Sequence, residues 1–278
     1  MTTFKAALVQ LRTPASQDAA LAQAEPLVRQ AAAAGAQFIA TPEGTNILQR
    51  DKARLFEAVR PLEEDACVLG LRALACELGV WILIGSALVR REDGQLANRS
   101  TLIGADGAVA ATYDKIHMFD VDLPTGERHR ESSLYTPGEA AAVVQAPFAK
   151  LGLSICYDVR FPHLYRALAK AGAEVITVPA AFTRPTGEAH WEILLRARAI
   201  ETGAFVLAPA QGGFHEDGRG TWGRSTIIGP WGEILAKAQD DEPGVVIADL
   251  DLNAVGKARA AIPALANDRE FAPPASAR

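Results

Sequence analysis

Leu151-Gly152-Leu153-Ser154-Ile155-Cys156-Tyr157-Asp158-Val159-Arg160-Phe161-Pro162 is the stretch on which the fold turns. Its first half is an apolar run with the pattern of a buried strand, and that run ends on a cysteine. A polar break follows. Phe161-Pro162 then opens a helical face of Leu164, Ala167, Leu168 and Ala171 that stops at Gly172. A reactive group at a strand-to-helix handover is held rigidly, near turn N–H groups that favour a thiolate and a developing oxyanion. The competing reading is a core cysteine, because free Cys is among the most buried residue types. This segment alone leaves both open.

The segments around it alternate in the same way. Downstream, Ala173–Val178 reads as a strand, Glu188–Thr202 as a helix closed by Gly203, and Phe205–Ala208 as a strand. Ser225–Ile228 and Glu233–Ala236 flank the turn Gly229-Pro230-Trp231-Gly232, and Val245–Ala248 is the last strand before a short helix. Upstream, Phe4–Leu11 is a strand, and Ala20, Ala24, Leu27, Val28 and Ala31 stripe a helix ending near Gly35. Gln37–Ala40 is a second strand, running into Thr41-Pro42-Glu43-Gly44. Leu71, Leu74, Ala75 and Leu78 form a helical face closed by Gly79; Cys67 joins that face and Cys76 falls off it. Val80–Gly85 is a continuous apolar strand, and Ser100–Ile103 with Val109–Thr112 reads as a hairpin about Ala105-Asp106-Gly107. Tyr113–Ala140 is long, polar and weakly periodic, and such loops inside compact domains are usually functional.

No linker-like break interrupts 1–271, so one domain is expected there, followed by a short Pro/Ala-rich tail at 272–278. Strands without polar alternation imply sheets covered on both faces. A layered α/β sandwich of helices, sheet, sheet and helices follows.

Composition narrows the classes. Lys and Arg number 28 against 33 Asp and Glu, a net charge of −5 with no basic run, which argues against a nucleic-acid partner. No apolar stretch approaches membrane-spanning length and the N-terminus lacks a signal-peptide pattern, so a soluble, cytoplasmic protein is expected. Three irregularly spaced cysteines argue against a disulfide framework. None of the five histidines sits at a metal-ligand spacing, so no metal is expected.

A thiol titrating near 8.5 needs a base, and any of the five histidines could approach Cys156 in space. Two other residues stand out by position. Glu43 follows a buried strand directly, and Lys115, in Tyr113-Asp114-Lys115-Ile116-His117, also follows a strand. Each alone reads as a solvated charge. Three reactive types at three strand ends describe instead a site at one edge of the sheets.

Thr41-Pro42-Glu43, Tyr113-Asp114-Lys115-Ile116-His117 and Gly152–Pro162, in this order and spacing, resemble the nitrilase superfamily of carbon–nitrogen hydrolases. The similarity runs from the first strand to Ile262-Pro263. It implies a four-layer αββα sandwich, pairing into homodimers or dimer-based oligomers across a helical layer, and no cofactor. It maps the family's catalytic glutamate, lysine and cysteine onto Glu43, Lys115 and Cys156, and a further glutamate onto Glu131. Thr186–Thr202 resembles the amidase branch acting on small keto-acid ω-amides, and Ala210–His215 resembles deaminated glutathione amidases within it. Gly213-Phe214 and the Gly218-Arg219-Gly220 loop depart from both groups. The alternatives are an ω-amidase acting on α-ketoglutaramate, a nitrilase or an N-carbamoyl amidohydrolase. A non-catalytic scaffold would be expected to lack a triad member, and a redox-sensing thiol would want a nearby resolving cysteine.

The mechanism so implied makes Cys156 the nucleophile and Glu43 the general base, acting best if burial raises its pKa toward neutrality. Lys115 and the Tyr157 backbone N–H would hold the oxyanion, and Glu131 would position Lys115 or the leaving group. Arg160 either binds a substrate carboxylate or pairs with Glu192 or Glu201. Phe182 and Thr183, after the strand 173–178, are expected to line the pocket, whereas His190 and Trp191 read as packing and capping.

Overall fold

The computed structural model describes residues 2–123, 126–272 and 274, so most of the expected tail at 272–278 lies outside the described residues. The N-terminal half runs β1 (Thr3–Gln10), α1 (Gln17–Ala33), β2 (Phe38–Ala40), α2 (Lys52–Ala58), α3 (Ala66–Leu78), β3 (Trp81–Arg90), β4 (Leu96–Ile103) and β5 (Val109–Asp114). A small hairpin, β6 (Asp120–Asp122) and β7 (Arg128–Arg130), leads to β8 (Ala142–Gln145) and β9 (Lys150–Leu153). Then come α4 (Pro162–Lys170), β10 (Val175–Thr177), α5 (Arg184–Thr202), β11 (Phe205–Ala208) and a second hairpin, β12 (Gly212–Phe214) and β13 (Gly220–Trp222). The chain closes with β14 (Thr226–Ile228), β15 (Ile234–Lys237), β16 (Gly244–Asp251) and α6 (Asn253–Ala261).

The strands form two sheets ordered β16-β1-β2-β3-β4-β5 and β15-β14-β11-β10-β9-β8. Side-chain alternation makes the layers. Ala6 and Leu8 of β1 pack with Leu151, Val175 and Val206 of the other sheet, while Ala7 and Val9 face Ala24, Val28 and Leu71 of α1 and α3. The far sheet is covered by Leu164 and Leu168 of α4 and by Trp191, Leu195 and Ala199 of α5. Each buried leucine or valine among them contributes about 1.5–3 kcal/mol. The result is the four-layer αββα sandwich. Its central pairs β1–β2, β2–β3, β9–β10 and β10–β11 are parallel, which gathers the carboxyl ends of β2, β9 and β10 at one edge. No described helix is long and apolar enough to cross a membrane.

Several elements overrun the limits read from sequence. β3 continues to Arg90 instead of stopping at Gly85, and β4 begins at Leu96 instead of Ser100, with a register shift between Ile84 and Ala87. Gly85 is where the loop after β2 crosses: a Cβ there would lie 1.9 Å from Thr41 O and 2.4 Å from Pro179 Cβ. Only glycine permits that approach. Ser86 next accepts the Gly44 N–H on its hydroxyl at 2.9 Å and donates its own N–H to Pro42 O at 3.1 Å, so the Glu43 loop is stitched to the strand.

The region 113–140, expected as one long loop, instead holds the end of β5, the β6–β7 hairpin and a 3-10 turn at Glu131–Ser133, with 124 and 125 outside the described residues. Its strands have three residues each and are joined by charge, Arg130 to Asp122 at 2.8 Å, which leaves no hydrophobic period to read. α5 starts at Arg184 rather than Glu188, because Pro185 falls in the first turn, where a missing N–H is harmless. Cys67 is core packing, as expected, and Cys76 is exposed.

Candidate active site

β9 ends at Leu153, and Ser154 and Ile155 carry the chain on to Cys156, which opens a 3-10 turn, Cys156–Arg160. Cys156 has φ +48°, a left-handed conformation that costs a non-glycine residue of order 1–3 kcal/mol. Surrounding bonds hold it there. Its N–H donates to Pro179 O at 2.9 Å, and the Ile155 N–H donates to Asp158 Oδ2 at 2.8 Å. The fully buried Asp158 also accepts from the Tyr113 hydroxyl at 2.7 Å and from the His117 N–H at 3.0 Å. One carboxylate therefore ties the cysteine turn to the strand end that bears Lys115.

Glu43, Lys115 and Glu131 come from three separate segments and meet in one buried array. Lys115 Nζ donates to Glu43 Oε1 at 2.9 Å and to Glu131 Oε1 and Oε2 at 2.9 and 2.8 Å, using all three of its N–H groups. The Phe119 N–H holds Glu131 Oε2 at 2.6 Å. The other oxygen of Glu43, Oε2, accepts the Ala181 N–H at 2.9 Å, and the Glu43 charge acts on the neighbouring Cys156 thiol. Asn98 lies between the carboxylates, its Nδ2 2.9 Å from Glu43 Oε1 and 3.2 Å from Glu131 Oε1.

The electrostatics assign the protons. Burial pushes the Cys156 thiol up, the Glu43 charge pushes it further, and the Lys115 ammonium offsets only part of this. Burial alone would lower Lys115, but the charges of Glu131 and Glu43 outweigh it and hold the ammonium well above the ordinary lysine range. For Glu43 the expectation of a raised pKa is overturned. Burial does push upward, but Lys115 and hydrogen bonds from Cys156, Lys115 and Asn98 outweigh it, and the carboxyl sits below its ordinary value. The resting site thus holds a neutral thiol beside a carboxylate.

The remaining sequence candidates divide. Among the described residues the Tyr157 N–H makes no hydrogen bond, so it is available one residue beyond the thiol. Arg160 makes neither expected ion pair, since Glu192 is held by Lys237 and Glu201 by Arg198. Its guanidinium lies over the Phe182 ring at 5.5 Å and the Tyr157 ring at 5.9 Å, with His190 Nδ1 3.3 Å from Nη2. Phe182 is buried against Trp191, and Trp191 donates its indole N–H to Arg224 O at 3.0 Å. Thr183 stands at the start of α5 with its hydroxyl 2.8 Å from that of Thr186, so it serves the helix end rather than presenting a free polar group.

The sequence reading passed over Asn98, Asp158 and Gln211, whose Nε2 donates to the Glu43 carbonyl at 3.0 Å. Asp158 sat inside the quoted stretch, and an acidic residue two beyond a candidate nucleophile was a usable signal. Asn98 had none, because Ala97-Asn98-Arg99-Ser100 shows no period.

Comparison with known proteins agrees with this geometry. The carbon-nitrogen hydrolase family model matches residues 5–260. A deaminated glutathione amidase of Yersinia enterocolitica is 42% identical over 247 residues, covering 86% of this chain and 84% of the relative. Omega-amidase NIT2 of Xenopus tropicalis is 35% identical over 263 residues, covering 95% of this chain and 94% of the relative. The crystal structure of the C. elegans NitFhit protein superposes with a TM-score of 0.89 at 31% identity over 96% of this chain, which spans 65% of that longer protein. A match across nearly the whole sandwich, with the reactive array at its strand ends, makes this chain a member of the carbon–nitrogen hydrolase family.

Proposed function

We propose that the chain, with 1–271 acting as one hydrolase domain, is a thiol amidase that cleaves deaminated glutathione to 2-oxoglutarate and cysteinylglycine. The observation that carries the chemistry is the single carboxylate of Glu43, bonded through Oε1 to the Lys115 ammonium at 2.9 Å and set where its charge acts on the Cys156 thiol. As the sulfur attacks the amide carbon, the thiol proton moves to Glu43. Glu43 becomes neutral and loosens its hold on Lys115. The freed Nζ–H turns to the new oxyanion beside the Tyr157 N–H, while Glu131 keeps the lysine in place. Collapse breaks the C–N bond, and the departing nitrogen takes the proton from Glu43. Glu43 then deprotonates water, which attacks the thioester, and the proton returns to sulfur.

Two things support the substrate. The Yersinia relative bears that name, and Arg160 is a cation without a carboxylate partner among the described residues, held by aromatic faces near the cysteine. A guanidinium so placed suits a keto-acid carboxylate. The Xenopus name favours the second reading, an ω-amidase for α-ketoglutaramate. A cytosolic setting would keep Cys156 reduced. A homodimer across the α4–α5 layer belongs to the same reading, and it would cover Ile193 and Ile200, exposed on α5 by 71% and 53%.

The test is kcat/KM for both compounds, followed through their shared product 2-oxoglutarate, with nitriles and N-carbamoyl compounds alongside. Deaminated glutathione is expected to be preferred, and Arg160→Ala is expected to raise KM about tenfold or more with kcat little changed. Preference for α-ketoglutaramate selects the ω-amidase reading. An unchanged KM returns Arg160 to a structural role.

A further inference from the structure

Resting on the mechanism above, we infer that Asn98 is a positioning residue that holds Glu43 Oε1 while Lys115 moves to the oxyanion, so that the carboxyl keeps its orientation beside the thiol throughout the cycle. Lys115 has no spare N–H, so it can serve the oxyanion only by releasing a carboxylate. Once it releases Glu43, Asn98 Nδ2 at 2.9 Å is the remaining side-chain donor on Oε1. An amide is suited to this, because it can still donate to the carboxyl after protonation, though more strongly to the charged form, and it adds no charge. The second N–H reaches Glu131 Oε1 at 3.2 Å, so one planar group fixes the spacing of both carboxylates. The Asn98 backbone carbonyl accepts the Lys115 N–H at 2.9 Å, which ties Asn98 to Lys115 through the main chain as well.

The other end of the amide supports a functional role. Asn98 Oδ1 is buried without a hydrogen-bond partner among the described residues. A buried, unsatisfied acceptor is a cost to the fold, and a purely structural asparagine would be satisfied at both ends.

The groups facing Glu43 are Lys115 from the end of β5, Cys156 from the turn after β9, Glu131 from the turn after β7, and the Tyr135 phenol beyond. The Asn98 donor favours the charged form of Glu43. Its removal should raise that carboxyl and move the acid limb of the pH profile upward.

The test uses Asn98→Leu, similar in volume but without a donor, and Asn98→Ala in case the first does not fold. The expected result is a roughly ten- to hundredfold loss of kcat with KM changed less than about twofold. The acid limb of kcat/KM should also rise by about half a pH unit or more. Iodoacetamide labelling of the Cys156 peptide, read by mass spectrometry across pH, should show the same shift with no amide substrate present. It therefore still reads Asn98 if the proposed substrate is wrong. A folded variant with the wild-type acid limb in both assays would overturn the inference. Failure of both variants to fold would assign Asn98 to the fold and overturn it equally.

Discussion

Two clusters in this molecule have the same composition, one cation held between two glutamates, and almost nothing else in common. On the surface, Arg29 of α1 bonds Glu25 at 2.8 Å and Glu77 at 2.6 Å. Inside, Lys115 bonds Glu43 at 2.9 Å and Glu131 at 2.8 Å. Distance does not separate them. Exposure does, because the Arg29 side chain is 39% exposed and that of Lys115 is 2% exposed. Water and salt screen the outer cluster, so its ion pairs add little. The inner cluster is shielded from bulk solvent, so each charge depends on the others, and moving one proton redistributes all of them.

That difference can be broken most directly at the lysine. Lys115→Ala leaves two buried carboxylates without their counter-ion. It should lower kcat by about a hundred- to a thousand-fold and destabilise the fold by about 3–5 kcal/mol, read by urea denaturation. Lys115→Arg keeps the charge but puts a planar fork where a compact ammonium fits, and its kcat should fall nearly as far. A wild-type rate in Lys115→Arg would reduce the inner cluster to an ordinary ion pair.

A smaller effect should appear in stability against pH. Glu43 is depressed in the folded state, so its contribution is present above the ordinary glutamate value of about 4.3 and is lost as pH falls through its lower native value. Urea midpoints should therefore drop on acidification, and Glu43→Gln should flatten that slope. An unchanged slope would mean that other carboxylates carry the acid sensitivity. The smallest effect belongs to the surface. Arg29→Ala should leave kcat/KM unchanged, and any loss of thermal midpoint should vanish at high salt. A change in turnover there would erase the contrast.

The same contrast governs what could be read in advance. Glu25 and Arg29 are four apart on a helix, so their contact is visible in the spacing. Residues 43, 115 and 131 meet only through the pairing of non-adjacent strands and the packing of the hairpin loop, Cys156 joins them from the other sheet, and no local period announces it. The layers were legible because Leu8, Leu83, Leu151 and Val206 lie in strands without polar alternation. Glu43, Lys115 and Cys156 were legible as reactive types at strand ends. Asn98 was not, because β4 turns polar where it passes beneath the site. The sign of the Glu43 shift was also out of reach, since it depends on the balance of burial against Lys115, Cys156 and Asn98. Gly85 read as the end of a strand because glycine usually marks one, whereas here it admits a crossing loop.

The central claim is that Cys156 carries the acyl group. Deaminated glutathione would be mixed with the protein, quenched in acid within the first turnovers, and the digest examined by mass spectrometry. The expected result is a 2-oxoglutaryl thioester on the Cys156 peptide and on no peptide carrying Cys67 or Cys76, with Cys156→Ala folded and inactive. Turnover by Cys156→Ala at a rate near wild type, with no adduct on the wild-type peptide, would contradict the account.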